Sequence, residues 1–208
     1  MKKKIALLMA CVMAFGVAVG GTLAWLTDDT APVVNTFTDS DINITLAETD
    51  TDSAKEGEQH DYQMIPGHTI TKDPVVTVKA GSEACYLFVQ VTENLGSWSD
   101  NKVGENAPKF TDYLSYTLDD WTALEGVSGV YYKELTAKTT ADTPYNVIKD
   151  TKMTVSGNVT KAMMDEIDGE GETKPTLTFK AYASQLYTGQ AAPNDKFTPA
   201  QAWTNVAG

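Results

Sequence analysis

The 208-residue chain contains no arginine and only two cysteines and two histidines. All 16 basic residues are lysines, and with 28 acidic residues they give a formal net charge of −12. Nucleic acid is disfavoured as a partner, because phosphate binding needs clustered cations and the guanidinium fork suits it best. The few histidines and cysteines leave little material for a metal centre or a nucleophile. The composition therefore favours a binding or structural protein over an enzyme.

The first 24 residues have the pattern of a secretory signal peptide. Lys2–Lys4 form a basic start, Ile5–Val19 is apolar or small throughout, and small residues follow. The apolar run is shorter than the about 20 residues that a spanning helix needs. Thr22 and Ala24 are small residues at the positions that the peptidase reads, which predicts cleavage before Trp25. Cleavage just after Trp25, or an uncleaved membrane anchor, are the alternatives.

Cleavage after Ala24 changes the charge and the cysteine content of the chain. Removing 24 of the 208 residues leaves 184, and the loss of three lysines takes the net charge from −12 to −15. Cys11 leaves with the leader, where its surroundings only faintly resemble a lipoprotein box. Cys85 is then the single cysteine, so no internal disulfide can form. Its alternation with apolar residues predicts a buried, unreactive thiol.

Short runs of alternating apolar and polar residues recur along the mature chain. They are rich in Thr, Val, Ile, Tyr and Phe, which favour strands. A period of two with one buried face is typical of antiparallel strands, and many such runs between polar turns predict an all-β sandwich or barrel. The predicted strands are Ile42–Leu46, Val75–Lys79, Cys85–Val91, Tyr113–Leu118, Val130–Leu135, Lys152–Val155 and Leu177–Ala183.

One short helix is predicted between the last two of these strands. Asn158 is its expected N-cap, and Gly169 follows its expected end. Its apolar stripe consists of Val159, Met163 and Ile167.

A second short helix is predicted near the C-terminus, and two polar stretches are predicted as loops. Thr198–Gln201 has capping-box spacing with proline at the first helical position, and this turn would bury Trp203. Glu48–Asp61 is acidic and nearly free of apolar residues, and Asn94–Lys109 is rich in glycine, serine and asparagine. No linker is long enough to divide two domains.

No constellation of side chains in the sequence predicts catalysis. His60 and His68 lie eight residues apart beside Pro66-Gly67 and lack the zinc-hydrolase spacing, so both are interpreted as turn residues. The acidic cluster from Asp165 to Glu172 has oxygens that suit calcium, but it lacks the EF-hand order and is interpreted as a solvated loop. No catalytic, cofactor-binding or metal-ligating residue is assigned, and calcium is left open.

Residues 25–40 form an extended segment at the start of the mature chain. The segment is apolar at intervals and is interrupted by acids and by Pro32. It is either an edge strand or frayed terminus of its own domain, or a strand that adds to the sheet of a neighbouring subunit. At strand rise, Leu26–Phe37 reaches about 40 Å, against a radius of gyration of roughly 16 Å for such a domain. The apolar side chains available for burial are Leu26, Val33, Val34 and Phe37.

The junction from Gly20 to Asp28, the following Asn35-Thr36-Phe37 and the strand Ile42–Leu46 resemble the TasA/camelysin family. The family pattern runs Gly-Gly-Thr-x-Ala, an aromatic or apolar pair, a polar residue and Asp, then Asn-x-Phe and an apolar strand. Three later stretches fit as well: Ile65–Val76, Ala84–Val91 and Phe179–Gln185. The resemblance covers most of the chain, and its specific part is the first fifty residues.

The resemblance implies a jelly-roll β-sandwich with one or two short helices, formed by residues 41–208 as a single domain. It implies a secreted protein of a Gram-positive bacterium, processed by a SipW-type signal peptidase and in contact with the membrane only through its leader. Such subunits assemble with themselves into extracellular or biofilm-matrix fibres by N-terminal strand addition, and other matrix proteins are candidate partners. Some camelysin-like members are described as metal-dependent proteases. That activity, or a monomeric surface-binding module, is the alternative to a non-enzymatic fibre subunit.

Overall fold

A computed structural model describes residues 41–48, 62–100, 108–137, 139–189 and 195–207. In these residues the strands are β1 (Ile44–Glu48), β2 (Thr69–Thr71), β3 (Pro74–Val78), β4 (Cys85–Asn94), β5 (Leu114–Leu118), β6 (Thr122–Ala123), β7 (Val130–Leu135), β8 (Thr143–Asn146), β9 (Ile148–Val155) and β10 (Thr176–Gln185). The short α-helices are α1 (Phe110–Tyr113), α2 (Lys161–Ile167) and α3 (Pro199–Thr204), and a 3-10 helix spans Gly96–Asp100.

The central sheet has the strand order β10-β4-β7-β6, and all its pairs are antiparallel. Its longest ladder joins β10 to β4 over ten residue pairs, from Thr176 opposite Asn94 to Gln185 opposite Cys85. The first five residues of β4 are all buried, whichever face they point to. This sheet is therefore covered on both sides, which explains why β4 is so rich in large apolar residues.

A second layer is built from two three-stranded sheets, β1-β3-β8 and β2-β9-β5. Only Lys72 and Asp73 separate β2 from β3. β2 pairs with β9 and β3 pairs with β8, and β8 and β9 are likewise close neighbours in the chain. Two main-chain hydrogen bonds continue the pairing across the gap: the Lys72 N–H donates to the Thr151 carbonyl, and the Val147 N–H donates to the Pro74 carbonyl, each at 2.9 Å. The two sheets thus form one layer with an irregularity at Lys72.

The main core lies between this layer and the central sheet. Val76 and Val78 of β3 face Leu87 and Val89 of β4, and all four are fully buried. The pattern follows from strand alternation, because inward residues of both layers meet over one shared core.

The outer face of the central sheet is covered by the C-terminal helix α3. The Thr198 hydroxyl accepts from the Gln201 N–H and Pro199 occupies the first turn, which confirms the predicted capping box. Trp203, 9% exposed, packs with ring centroids 5.3 Å from Phe88 and 5.1 Å from Tyr182.

A third apolar cluster holds α1, α2 and the 3-10 helix against the second layer. The Trp98 indole N–H donates to the Met163 carbonyl at 2.8 Å, which fixes α2 over the 3-10 helix. The N-cap of α2 is Thr160, whose hydroxyl accepts from the Met163 N–H. The predicted Asn158 cap is wrong, because the helix begins at Lys161 and Asn158 lies in the preceding turn, where its N–H donates to the Ser156 hydroxyl.

The all-β prediction is confirmed: antiparallel sheets form a sandwich with few short helices. The jelly-roll connectivity and the domain boundaries stay predictions. Two loop boundaries are corrected, since Glu48 ends β1 and the stretch after Asn94 contains the 3-10 helix. Within the described ranges, no helix has the length and apolarity needed to cross a membrane.

Candidate functional site

The residues predicted for processing and assembly lie outside the described part of the chain. These are Thr22, Ala24 and Trp25 at the cleavage site, and Leu26, Val33, Val34 and Phe37 in the N-terminal segment. The described residues contain two unpaired strand edges and a cavity between them.

One side of the sandwich is an open seam between the edge strands β1 and β10. β1 ends the order of its sheet and β10 ends the order of the central sheet, so each has one edge that no other described strand pairs with. We define the open seam by the inward side chains of these two strands, all of which are only half-buried although they belong to the core. They are Ile44 and Leu46 of β1 and Leu177, Phe179, Ala181 and Ala183 of β10.

The strands β1 and β10 run in opposite directions along the seam. Just before β1, the Asp41 carbonyl accepts a hydrogen bond from the Glu83 N–H. Glu83 lies just before β4, and the first residue of β4 pairs with Gln185, the last residue of β10. The last residue of β1, Glu48, bonds to Lys72, whose ammonium lies 5.8 Å from the ring of Phe179. The start of β1 therefore lies near the end of β10, and its end lies near the start of β10.

The seam widens into a pocket of about 790 Å³ where β1 ends and β10 starts. We call this cavity the seam pocket. Its walls combine apolar and polar side chains from several elements of the sandwich. The apolar side chains include Leu46, Met64, Ile70, Phe110, Leu114, Met153, Leu177 and Phe179. This apolar part of the cavity is suited to apolar or aromatic groups.

A buried ion pair forms the polar part of the seam pocket. The ammonium of Lys72 lies 2.7 Å from a carboxylate oxygen of Glu48, and both side chains are 8% exposed. The Tyr62 hydroxyl donates to the other Glu48 oxygen at 2.7 Å. The Lys72 ammonium also lies 4.8 Å from the Tyr62 ring centre, within cation–π range. Because every charge has a partner, this cluster can exclude water and fix the pocket wall without holding a free reactive group.

The sequence contained a signal for this ion pair that our strand predictions missed. Ile70, Lys72, Pro74, Val76 and Val78 alternate at a period of two, so Lys72 occupies an inward position. On β1, Glu48 continues the inward series of Ile44 and Leu46 in the same way. Two opposite charges at inward positions predict a buried pair.

The described residues include His68 and Cys85, two of the side chains that the sequence singled out for possible chemistry. The His68 N–H donates to the Ile65 carbonyl in a turn, while His60 lies outside the described residues. In the described ranges no group of three or more His, Cys, Asp or Glu side chains is placed to hold a metal ion. Cys85 is fully buried, which confirms the predicted burial of its thiol, and this burial raises the pKa of the thiol to about 11.

Comparison of the chain with protein-family models, with curated proteins and with solved structures finds no match.

Proposed function

We propose that this protein is a secreted structural subunit that assembles with itself into extracellular matrix fibres, after a SipW-type signal peptidase removes its leader. Assembly proceeds by addition of the N-terminal segment of one subunit to the open seam of the next. The observation that supports this most is the ten-residue edge of β10, unpaired by any described strand and backed by a row of half-buried apolar side chains. An exposed edge of this length is a template for another strand.

The energy of strand addition comes from two sources. A new strand gains main-chain hydrogen bonds along the β10 edge, and it buries apolar side chains on the seam. The segment offers Leu26, Val33, Val34 and Phe37, and at roughly 1.5–3 kcal/mol each these could supply about 6–12 kcal/mol before ordering costs. Pro32 lacks a ladder donor and marks a break in the pairing. Asp28 and Asp29 stay in water.

The leader controls when assembly starts. While residues 1–24 are held in the membrane, the following segment is tethered and cannot enter another subunit. The mature charge of −15 then slows assembly at low ionic strength, because like-charged subunits repel one another until salt screens them.

Electron microscopy and sedimentation of the mature chain test this proposal. Residues 25–208 should form fibres faster as salt is added. Deletion of residues 25–37, and Phe37→Asp in the mature chain, should each abolish fibres, whereas Thr27→Ser is a control that leaves them intact. Persistent monomers of the mature chain under all conditions, or fibres from both variants at the wild-type rate, would refute it.

A further inference from the structure

We propose a polarity and an anchor for the added strand, and this inference rests on the proposed fibre function. The segment pairs antiparallel to β10, its Phe37 side chain enters the seam pocket beside Phe179, and it belongs to a second copy of the chain. Three properties of the described sandwich lead to this arrangement.

The first property is the length and direction of the available edges. β10 offers ten residues and β1 only five. Every strand pair in the described residues is antiparallel. A strand that pairs antiparallel with β10 therefore has its C-terminal end beside Thr176. Thr176 lies at the end of the open seam that contains the seam pocket.

The second property is the alternation along β10. If Phe37 lies opposite Phe179, strand pairing places Val33 opposite Ala183 and Asn35 opposite Ala181 on the inner face. The two alanines leave room for the incoming side chains, and the pocket takes the largest one. On the outer face Val34 falls opposite Tyr182, which already packs on Trp203. This register therefore uses both faces of the segment.

The third property excludes the chain's own segment. In this arrangement Phe37 lies near Glu48, the last residue of β1. Asp41, the first described residue of the chain, lies just before the opposite end of that strand. Asp41 to Glu48 extends about 23 Å at strand rise. The four residues after Phe37 span at most about 14 Å. The linker is too short to return, so this polarity requires a second copy and leads to a polymer instead of a closed monomer.

Cysteine cross-linking in fibres tests the polarity. The mature chain lacks Cys11, and Cys85 is buried, so an added pair is read without background. Thr178 is exposed on β10 and would face Thr38 in the proposed register. Thr38→Cys with Thr178→Cys should give a ladder of disulfide-linked oligomers, at least about 10-fold more than the matched pair Thr27→Cys with Thr178→Cys.

Each result of this experiment decides a separate point. A stronger ladder from the Thr27→Cys pair would overturn the polarity. Linkage within single chains would overturn the second-copy assignment, and fibres with neither linkage would overturn β10 as the acceptor. Failure of the unmodified mature chain to form fibres would instead overturn the proposed function itself.

Alanine variants test the anchor independently of the cross-links. Phe37→Ala should raise the critical concentration for assembly by at least about 10-fold, because it empties the pocket, whereas Thr27→Ala lies beyond the paired region and should change it by less than about 3-fold. The reverse order would contradict the placement of Phe37.

Discussion

The ammonium of Lys72 and the carboxylate of Glu48 form an ion pair at 2.7 Å in the wall of the seam pocket. The pair joins the end of β1 to the link between β2 and β3. At this link the pairing in the second layer changes from β2 with β9 to β3 with β8. The ion pair therefore fixes the edge strand that borders the open seam.

Breaking this pair on one side should destabilise the fold strongly. Lys72→Met or Glu48→Leu alone leaves one buried charge without a partner and should cost about 3–5 kcal/mol in the free energy of unfolding. The double variant removes both charges and should cost less than either single variant. Urea unfolding measures all three proteins. Costs that simply add in the double variant would show that the two charges are not coupled.

The same pair shows what sequence reasoning could and could not provide. Inward positions for Glu48 and Lys72 follow from alternation, but their contact depends on the pairing of Glu48 with Pro74, which no local pattern specifies. Strands such as β4 and β7 were predictable because both are rich in the β-branched and aromatic residues that favour strands. β8 was missed because it contains Pro144 and only four residues, and tertiary pairing with β3 determines its conformation. The Asn158 cap was misplaced because Thr160, two residues later, competes for the same role.

The close approach of β4 and β7 should make Gly129 intolerant of a side chain. Gly129 has φ of 72°, and a Cβ there would lie 2.6 Å from the Val91 carbonyl oxygen. Gly129→Ala should therefore cost clearly more than the about 1–2 kcal/mol that the left-handed conformation alone costs. Gly126→Ala is the matched control, because Gly126 has φ of 76° and open space around its Cβ position. Equal unfolding free energies for the two variants would contradict this account.

The C-terminal helix should contribute through its tryptophan more than through its cap. Trp203→Ala removes the ring that packs on Phe88 and Tyr182 and should cost about 3–5 kcal/mol. Thr198→Ala removes only the cap hydrogen bond and should cost about 1 kcal/mol. Thermal and urea unfolding check both, with exposed Thr204→Ala as a control expected within about 0.5 kcal/mol of wild type. A larger loss from Thr198→Ala than from Trp203→Ala would contradict the packing role.

Buried Cys85 should make stability fall in alkaline solution. Burial raises the pKa of its thiol from 9.0 to about 11 in the folded protein. The unfolded chain therefore releases this proton first, so the contribution is complete below pH 9 and is lost as pH rises towards 11. Between about pH 8 and about pH 10 the free energy of unfolding should drop by about 1 kcal/mol from this group. Cys85→Ala should reduce the drop by that amount, and an unchanged slope in this variant would show that the thiol does not cause it.

Assembly should cover the free edge of β10, and amide hydrogen exchange of monomers and fibres measures this directly. In monomers, the amides of Thr176–Gln185 that point away from β4 should exchange rapidly. In fibres the same amides should exchange at least about 10-fold more slowly, because they donate to the added strand. The short β6 edge at Thr122–Ala123 should change little. Fibres in which the exchange of β10 is the same as in monomers would contradict the account.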